Sequence, residues 1–599
     1  MRNSRHAIVL SSALVLVLVL GRVQATTTAP LADAVMHGSG AAAVQALLSQ
    51  GADVNAAQGD GMTALHWAAL NGDLKTTNLL LAAKAKTEVV TRMGGYTPLH
   101  LASSRGQAAI VARLLEAGSR VAAVTDTGVQ AIHFAAQAGN PDALQSLLDH
   151  GADVNARDGV YGRTPLIFAT SENRLAAMKL LVAKGADVRV TTKVIDYVAR
   201  STADTAEHQA RDKAITEATG RAPSDPYAPQ AARGAGAGVG RGAGAGYVPD
   251  PNDPVAQQAP PRAGGRGAGG NGPRPPSDLE NIGKEGGFTA LHYAVRDGYP
   301  EAASMLLDAG LDINRVSDGD CASPLLVSII NGQYDIALTL ISRGANPNLA
   351  STDGVAPLFA VLNTEWALRT WYPQPTAGTQ QKASYLDLLE SLLKAGADPN
   401  ARTRSHVWYA SYNTGRMGVD FAGATPFWRA AYALDIDAMR MLVRYGADPN
   451  IPTMTFGVAK RPTDPSGLNA APPGAPHVPP FHAASGVGYG TSRVAQQHRH
   501  VPDGWMPAAK YFVEELKVDI NVRDADGFTA LHHAAARGDN DVILYLVKHG
   551  ANVLAVNRAG QTTVDMANSP EQRTQPFPET IALLEGMGAK NNHHCQACK

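Results

Sequence analysis

At 599 residues the chain exceeds what one hydrophobic core encloses, so it is either several folding units or one extended repeat array. A formal charge of -1, with 18% charged residues, excludes a basic footprint for nucleic acid and an acidic bias toward cationic partners. Three cysteines in the whole chain exclude a disulfide framework, so packing must supply the stability.

In chain order, the first feature is a pair of arginines, Arg2 and Arg5, followed by an apolar run from Ala7 to Leu20 and the sequence V-Q-A ending at Ala25. The run is shorter than the ~20 residues a spanning helix needs, and Val23 and Ala25 suit a peptidase. Residues 1–25 therefore read as a cleavable secretory signal, with an uncleaved anchor as the alternative. The expected location is the periplasm or the extracellular space of a bacterium.

Beyond this segment the chain repeats itself. "MTALHWAA", "YTPLHLAS", "VQAIHFAA" and "RTPLIFAT" start at 62, 96, 129 and 163, so they lie 34, 33 and 34 residues apart. The pattern resumes at 288, 322, 355, 424, 478, 528 and 561, and a worn copy, "TAPLADAV", starts at 28. A second signature follows most starts by about 22 residues, as in "GADVN" at 151 and "GADPN" at 396 and 446. Thr97 suits a helix N-cap, Pro98 the first helical position, and Gly106 or Gly118 a left-handed helix end. Each unit reads as two short antiparallel helices. Paired alanines such as Ala68 and Ala69 let neighbours approach, and leucine pairs such as Leu114 and Leu115 fill the seam. The histidines His66, His100, His133, His292, His482 and His532 recur at one repeat position, where hydrogen bonding to turn backbone explains them as scaffold.

These motifs resemble the ankyrin repeat family. The resemblance implies an all-α ankyrin solenoid of about twelve helix-turn-helix units, five over 26–190 and seven over 286–590, and a non-catalytic role in binding another macromolecule.

Departures from the period are the informative part. Residues 191–285 begin with a helix-compatible piece and then become a Gly/Pro/Arg-rich tract that cannot bury a core, read as mostly disordered. Its "GRGAGG" lacks the flanking strand and helix of a dinucleotide site. Shorter insertions fall near 366–384, 401–423, 451–477 and 486–507. Those leaving the chain between repeats should sit on the hairpin-tip side, and those within a repeat on the opposite edge.

Four of the six tryptophans lie between 366 and 428. Large aromatic area with polar tips makes Trp366, Trp371, Trp408, Tyr409, Tyr412 and Arg416 the candidate contacts for a protein, peptide or glycan. The alternative is that these aromatics pin the inserts to the solenoid.

No nucleophile elbow, phosphate-binding loop or H-E-x-x-H occurs, so an enzyme is not expected. The loop histidines His477, His482, His498 and His500 are the sole hint of chemistry in the inserts.

The tail, 591–599, ends in "HHCQACK". C-x-x-C followed by lysine resembles the lysine variant of the c-type haem attachment motif, which would make this an electron-transfer protein with covalent haem c at Cys595, Cys598 and Lys599. Zinc or copper held by Cys595, Cys598 and His593 or His594 is a second reading, and a dithiol pair a third. A frayed terminus without cofactor is the fourth. The expected molecule is a monomer that binds a protein partner, with no nucleic acid and no membrane span after signal cleavage.

Overall fold

The structure, a computed structural model, describes residues 29–220, 278–366, 377–405, 407, 419–459, 463–488, 499–568 and 575–594. Residues 1–25, expected from the sequence to be a signal, and the Gly/Pro/Arg-rich tract 221–277 lie outside them.

Helix pairs dominate, each built by the same local chemistry. Thr97 adopts extended backbone before the helix Pro98–Ser104 and its hydroxyl accepts the His100 N–H, while the Thr97 N–H donates to His100 Nδ1 at 3.0 Å. This is a reciprocal capping box with histidine in the usual Glu position. Because Nδ1 accepts, the proton sits on Nε2, which donates to the Ala123 carbonyl at 3.0 Å. His66 reaches the Tyr96 carbonyl at 3.0 Å, His133 that of Ala156 at 3.0 Å and His292 that of Ala322 at 3.1 Å. One imidazole thus caps its own helix and stitches it to chain further on.

The first helices close with glycine where the backbone turns left-handed, as at Gly72 and Gly139 with φ of 76° and 83°. Ala68, Ala69, Ala135 and Ala136 are fully buried between neighbouring first helices. The second signature has its own role: Asn155 Oδ1 accepts the Asp187 N–H and Asn314 Oδ1 the Asn346 N–H, both at 2.8 Å. Asn400 and Asn521 do the same for Asp448 and Asn552, at 2.8 and 2.7 Å. Each bond ties one repeat's loop to the next.

The chain divides into two compact units. The first comprises Met1–Val194, Gly286–Ser351 and Pro375–Ala397. Within it the helix stack runs unbroken past the long excursion: Pro165–Ser171 packs on Ala290–Asp297, and Leu175–Ala183 touches Pro300–Asp308. The Thr192 N–H donates to the Phe288 carbonyl and Thr192 Oγ1 accepts the Phe288 N–H, each at 2.9 Å, so the excursion is looped out of a continuous array.

The second unit comprises Ile195–Glu285, Thr352–Gln374 and Asp398–Lys599. It includes Tyr197–Thr219, the start of the excursion, a helix capped by Asp196 and Gly220 with no buried residue. Among the described residues no helix is long and apolar enough to cross a membrane.

The 451–477 insert of this unit folds back on itself through bridges between Met454 and Pro476 and between Val458 and Ala471. It lies on hairpin tips, where the Arg523 Nη1 donates to the Ser466 carbonyl at 2.9 Å and Arg558 Nη1 pairs with Asp464 at 2.7 Å. The Ser466 hydroxyl and backbone N–H, then the Arg558 guanidinium, hold the Asp464 carboxyl down to about 2. A carboxylate so depressed stabilises the fold above its unfolded value of 3.8, and the contribution fades as pH falls toward 2. Asp464→Asn should therefore lower the melting temperature at neutral pH, and the gap to wild type should close on acidification through that window. A gap constant down to pH 2 would show that the clamp is not ionic.

Candidate functional site

Two surfaces stand out, one in each unit. In the first, consecutive hairpin tips are joined edge to edge: the Arg92 N–H donates to Asp60, Asp126 to Gly94 and Gly159 to Thr127, at 2.8, 3.0 and 2.9 Å. Along this row Val90, Met93, Val124, Val160 and Tyr161 are exposed, Met93 to 80%. Single exposed apolar residues are ordinary, but five on successive projecting tips form a patch of the kind that binding surfaces use. Sequence reasoning placed the binding face on this side without naming these residues. Their signal was apolar side chains inside loops that Gly and Asp otherwise make polar.

In the second unit the aromatic candidates divide. Trp371, Trp408, Tyr409, Tyr412 and Arg416 lie outside the described residues. Trp366 ends the helix Pro357–Glu365, half-buried, with its indole N–H donating to Asp435 Oδ2 at 3.0 Å and its carbonyl accepting Arg429 Nη2 at 2.7 Å. Arg499, from the 486–507 insert, lies 5.9 Å over the Trp366 ring and donates to the Glu365 carbonyl at 2.7 Å. Trp366 thus sits at the helix-turn edge, where two inserts meet.

Beneath it the aromatics are core. Trp428 replaces the repeat histidine: Thr425 caps it, and its buried indole N–H donates to the Val478 carbonyl at 2.9 Å, the same forward stitch that His66 makes. Phe421 and Tyr432 pack on it, with ring centres 5.6 and 5.3 Å away. Arg429 is 2% exposed, and its Nε donates to Asn363 Oδ1 at 2.9 Å. Burial pushes the guanidinium down to about 10, so it stays charged at neutral pH.

The loop histidines hold separate partners. His477 Nε2 faces Asp526 Oδ2 at 3.1 Å; burial pushes this imidazole down, but Asp526 and Asp524 outweigh it and the net shift is upward. His482 donates through Nε2 to the Val522 carbonyl at 2.9 Å. His500 stands edge-on to Trp505, with ring centres 4.9 Å apart, and His498 is outside the described residues. In the tail, the Asn592 N–H donates to Asp565 at 3.1 Å, fixing the chain as far as exposed His593 and His594. Cys595, Cys598 and Lys599 are beyond the described residues.

Family models for ankyrin repeats match residues 31–125, 117–192 and 275–351 in a three-copy form, and 513–567 in a many-copy form. Ankyrin repeat protein nuc-2 of Neurospora crassa is 32% identical over 171 residues, which is 28% of this chain and 16% of that protein. NF-kappa-B inhibitor cactus of Drosophila melanogaster is 32% identical over 123 residues, 20% of this chain and 24% of its own length. The B-cell lymphoma 3 protein homolog of Mus musculus is 32% identical over 130 residues, 21% and 29% of the two chains. The chain therefore spans less than a third of each of these relatives. With the histidine-capped helix pairs and the asparagine ladder, these matches establish that the chain belongs to the ankyrin repeat family.

Proposed function

We propose that the chain is an exported, non-catalytic scaffold that captures a protein partner through its hairpin-tip face and its aromatic inserts. The observation that carries this reading is the exposed row Val90, Met93, Val124, Val160 and Tyr161 on adjoining tips. Backbone bonds between the tips hold these side chains before a partner arrives, so little ordering cost falls at binding. Trp366, Trp371, Trp408, Tyr409, Tyr412 and Arg416 add aromatic and cationic contacts from the inserts. A relative named as an inhibitor of NF-kappa-B is in keeping with ankyrin repeats acting on another protein. The arginine-flanked apolar run before Ala25 supports export.

The test compares partner capture from the exported fraction by wild type, Met93→Ser/Tyr161→Ser and Trp408→Ala/Tyr409→Ala. Met93 and Tyr161 are exposed, and substitutions at such positions change stability by about 0.5 kcal/mol or less. Loss of one captured species in either variant, with unchanged melting, is the expected outcome. Equal capture by all three proteins sinks the assignment.

A further inference from the structure

One repeat histidine lacks its cap. In the unit that starts "VPPFHAAS", the capping threonine is replaced by Pro479, which has neither an N–H nor a hydroxyl to offer His482. His482 still donates through Nε2 to Val522, so in the neutral ring Nδ1 carries a lone pair. That Nδ1 is buried without a hydrogen-bond partner.

Two further ligand groups converge on it. Asp524, in the loop before the next repeat, brings Oδ2 to 3.8 Å from His482 Nδ1, with both side chains buried. His533 stands where other repeats carry Trp67, Leu101, Phe134, Phe168 and Tyr293, and its Nε2 is also buried without a partner. The two imidazole centres are 5.3 Å apart, and one ligand atom from each of the three residues lies within 4.8 Å of the others.

A lone pair facing a carboxylate in a dry site is repulsive unless a cation lies between them. The 3.8 Å gap is too long for a hydrogen bond, yet close to the ~3.4 Å that separates two ligands ~2.1 Å from a tetrahedral ion. Orientation is already fixed. Asp524 Oδ1 accepts the Asp526 and Phe528 N–H groups at 3.0 and 2.9 Å, and His482 is held by Val522, the outer contacts that aim metal ligands. The nearby cation is engaged elsewhere: Arg537 binds Asp539 at 2.7 Å and the Ser485 carbonyl, and lies 3.7 Å over Trp505.

We propose that His482, Asp524 and His533 form a site for a divalent transition-metal ion of the zinc class, set between two consecutive repeats. Two imidazoles and one carboxylate suit zinc and its neighbours rather than calcium or magnesium, which take oxygen ligands. Burial holds the His533 imidazole well below its ordinary pKa, in the neutral form that ligates. Three protein ligands leave a fourth position for water. Bound metal would cross-link the two repeats and stabilise their interface.

The test uses the full chain with Cys595→Ser, Cys598→Ser, His593→Ala and His594→Ala, so that the tail cannot bind. After chelation it is titrated with Co²⁺ and with Zn²⁺. The expected result is one ion per chain, the visible absorption of four-coordinate cobalt, and a melting temperature that rises with zinc. Asp524→Asn keeps the loop acceptor but weakens the ligand, and should cost at least about tenfold in affinity. His533→Phe, the residue type of Phe134 and Phe168, should abolish uptake while the repeat stays folded by circular dichroism. No cobalt spectrum in the tail-substituted protein, or one unchanged in both variants, overturns the proposal.

Discussion

Trp428→Ala is expected to destabilise its repeat by about 3–5 kcal/mol, the range for emptying a large aromatic site from a packed core. Trp428 is completely buried, is stacked by Tyr432 and met edge-on by Phe421, and supplies a forward bond, to Val478, of the kind a histidine makes in other repeats. Truncation therefore opens a cavity and removes one of the two donors to the Val478 carbonyl, which keeps the Thr453 N–H at 3.0 Å. Trp428→Phe separates the two effects: it keeps most of the volume, and the lost indole hydrogen bond should cost about 0.5–1.5 kcal/mol. Hydrogen exchange in Pro426–Tyr432 and Ile436–Arg444 measures the loss locally, which suits a repeat array better than one global melt. A loss below about 1 kcal/mol in the alanine variant would remove Trp428 from the core.

Acid should weaken the array through its capping histidines. Burial pushes His292 and His532 down to about 4, from an ordinary value of 6.5. Each is neutral in the fold, so below that ordinary value the unfolded chain binds more protons than the native one. Stability is then complete above it and falls as pH drops, by roughly 2 kcal/mol per histidine at about pH 5. The hydrogen bonds give the same sign: a protonated Nδ1 would point its new N–H at the N–H of Thr289. His292→Leu should be less stable at pH 7 by about 1–3 kcal/mol, because the buried Thr289 N–H loses its acceptor, while the Ala322 carbonyl keeps the Ser317 N–H. Its stability should nevertheless fall less steeply with acid than that of wild type. Urea titrations from pH 7 to 4.5 decide the matter, and identical slopes would contradict a neutral buried His292.

How much of this was legible in residues alone varies from site to site. The capping threonines and prolines, the closing glycines and the alanine pairs act within a few residues of themselves, so their period marked the helices directly. The shared histidine position was rightly read as scaffold at His66, His100, His133 and His292. At His482 the same reading was half complete, because the replacement of threonine by Pro479 matters only once the place that Nδ1 faces is known. The doubled histidine at 532 and 533 was the available signal. Trp366 and Trp428 looked alike in the sequence, yet one sits at an insert's base and the other replaces a core histidine.

The sequence by itself determined the family, the helix pairs and where the period is interrupted, since these rest on local geometry repeated many times. Only the tertiary structure decided that the array closes up across the long excursion through Thr192 and Phe288. It also decided that Arg429 is buried against Asn363, that the hairpin tips align five apolar side chains, and that His482, Asp524 and His533 converge. The reason is physical. Each of these depends on partners brought together by stacking one repeat on the next, and for Arg429 with Asn363 and for His482 with Asp524 and His533 the insertions in between also erase any fixed spacing from which the pairs could be read.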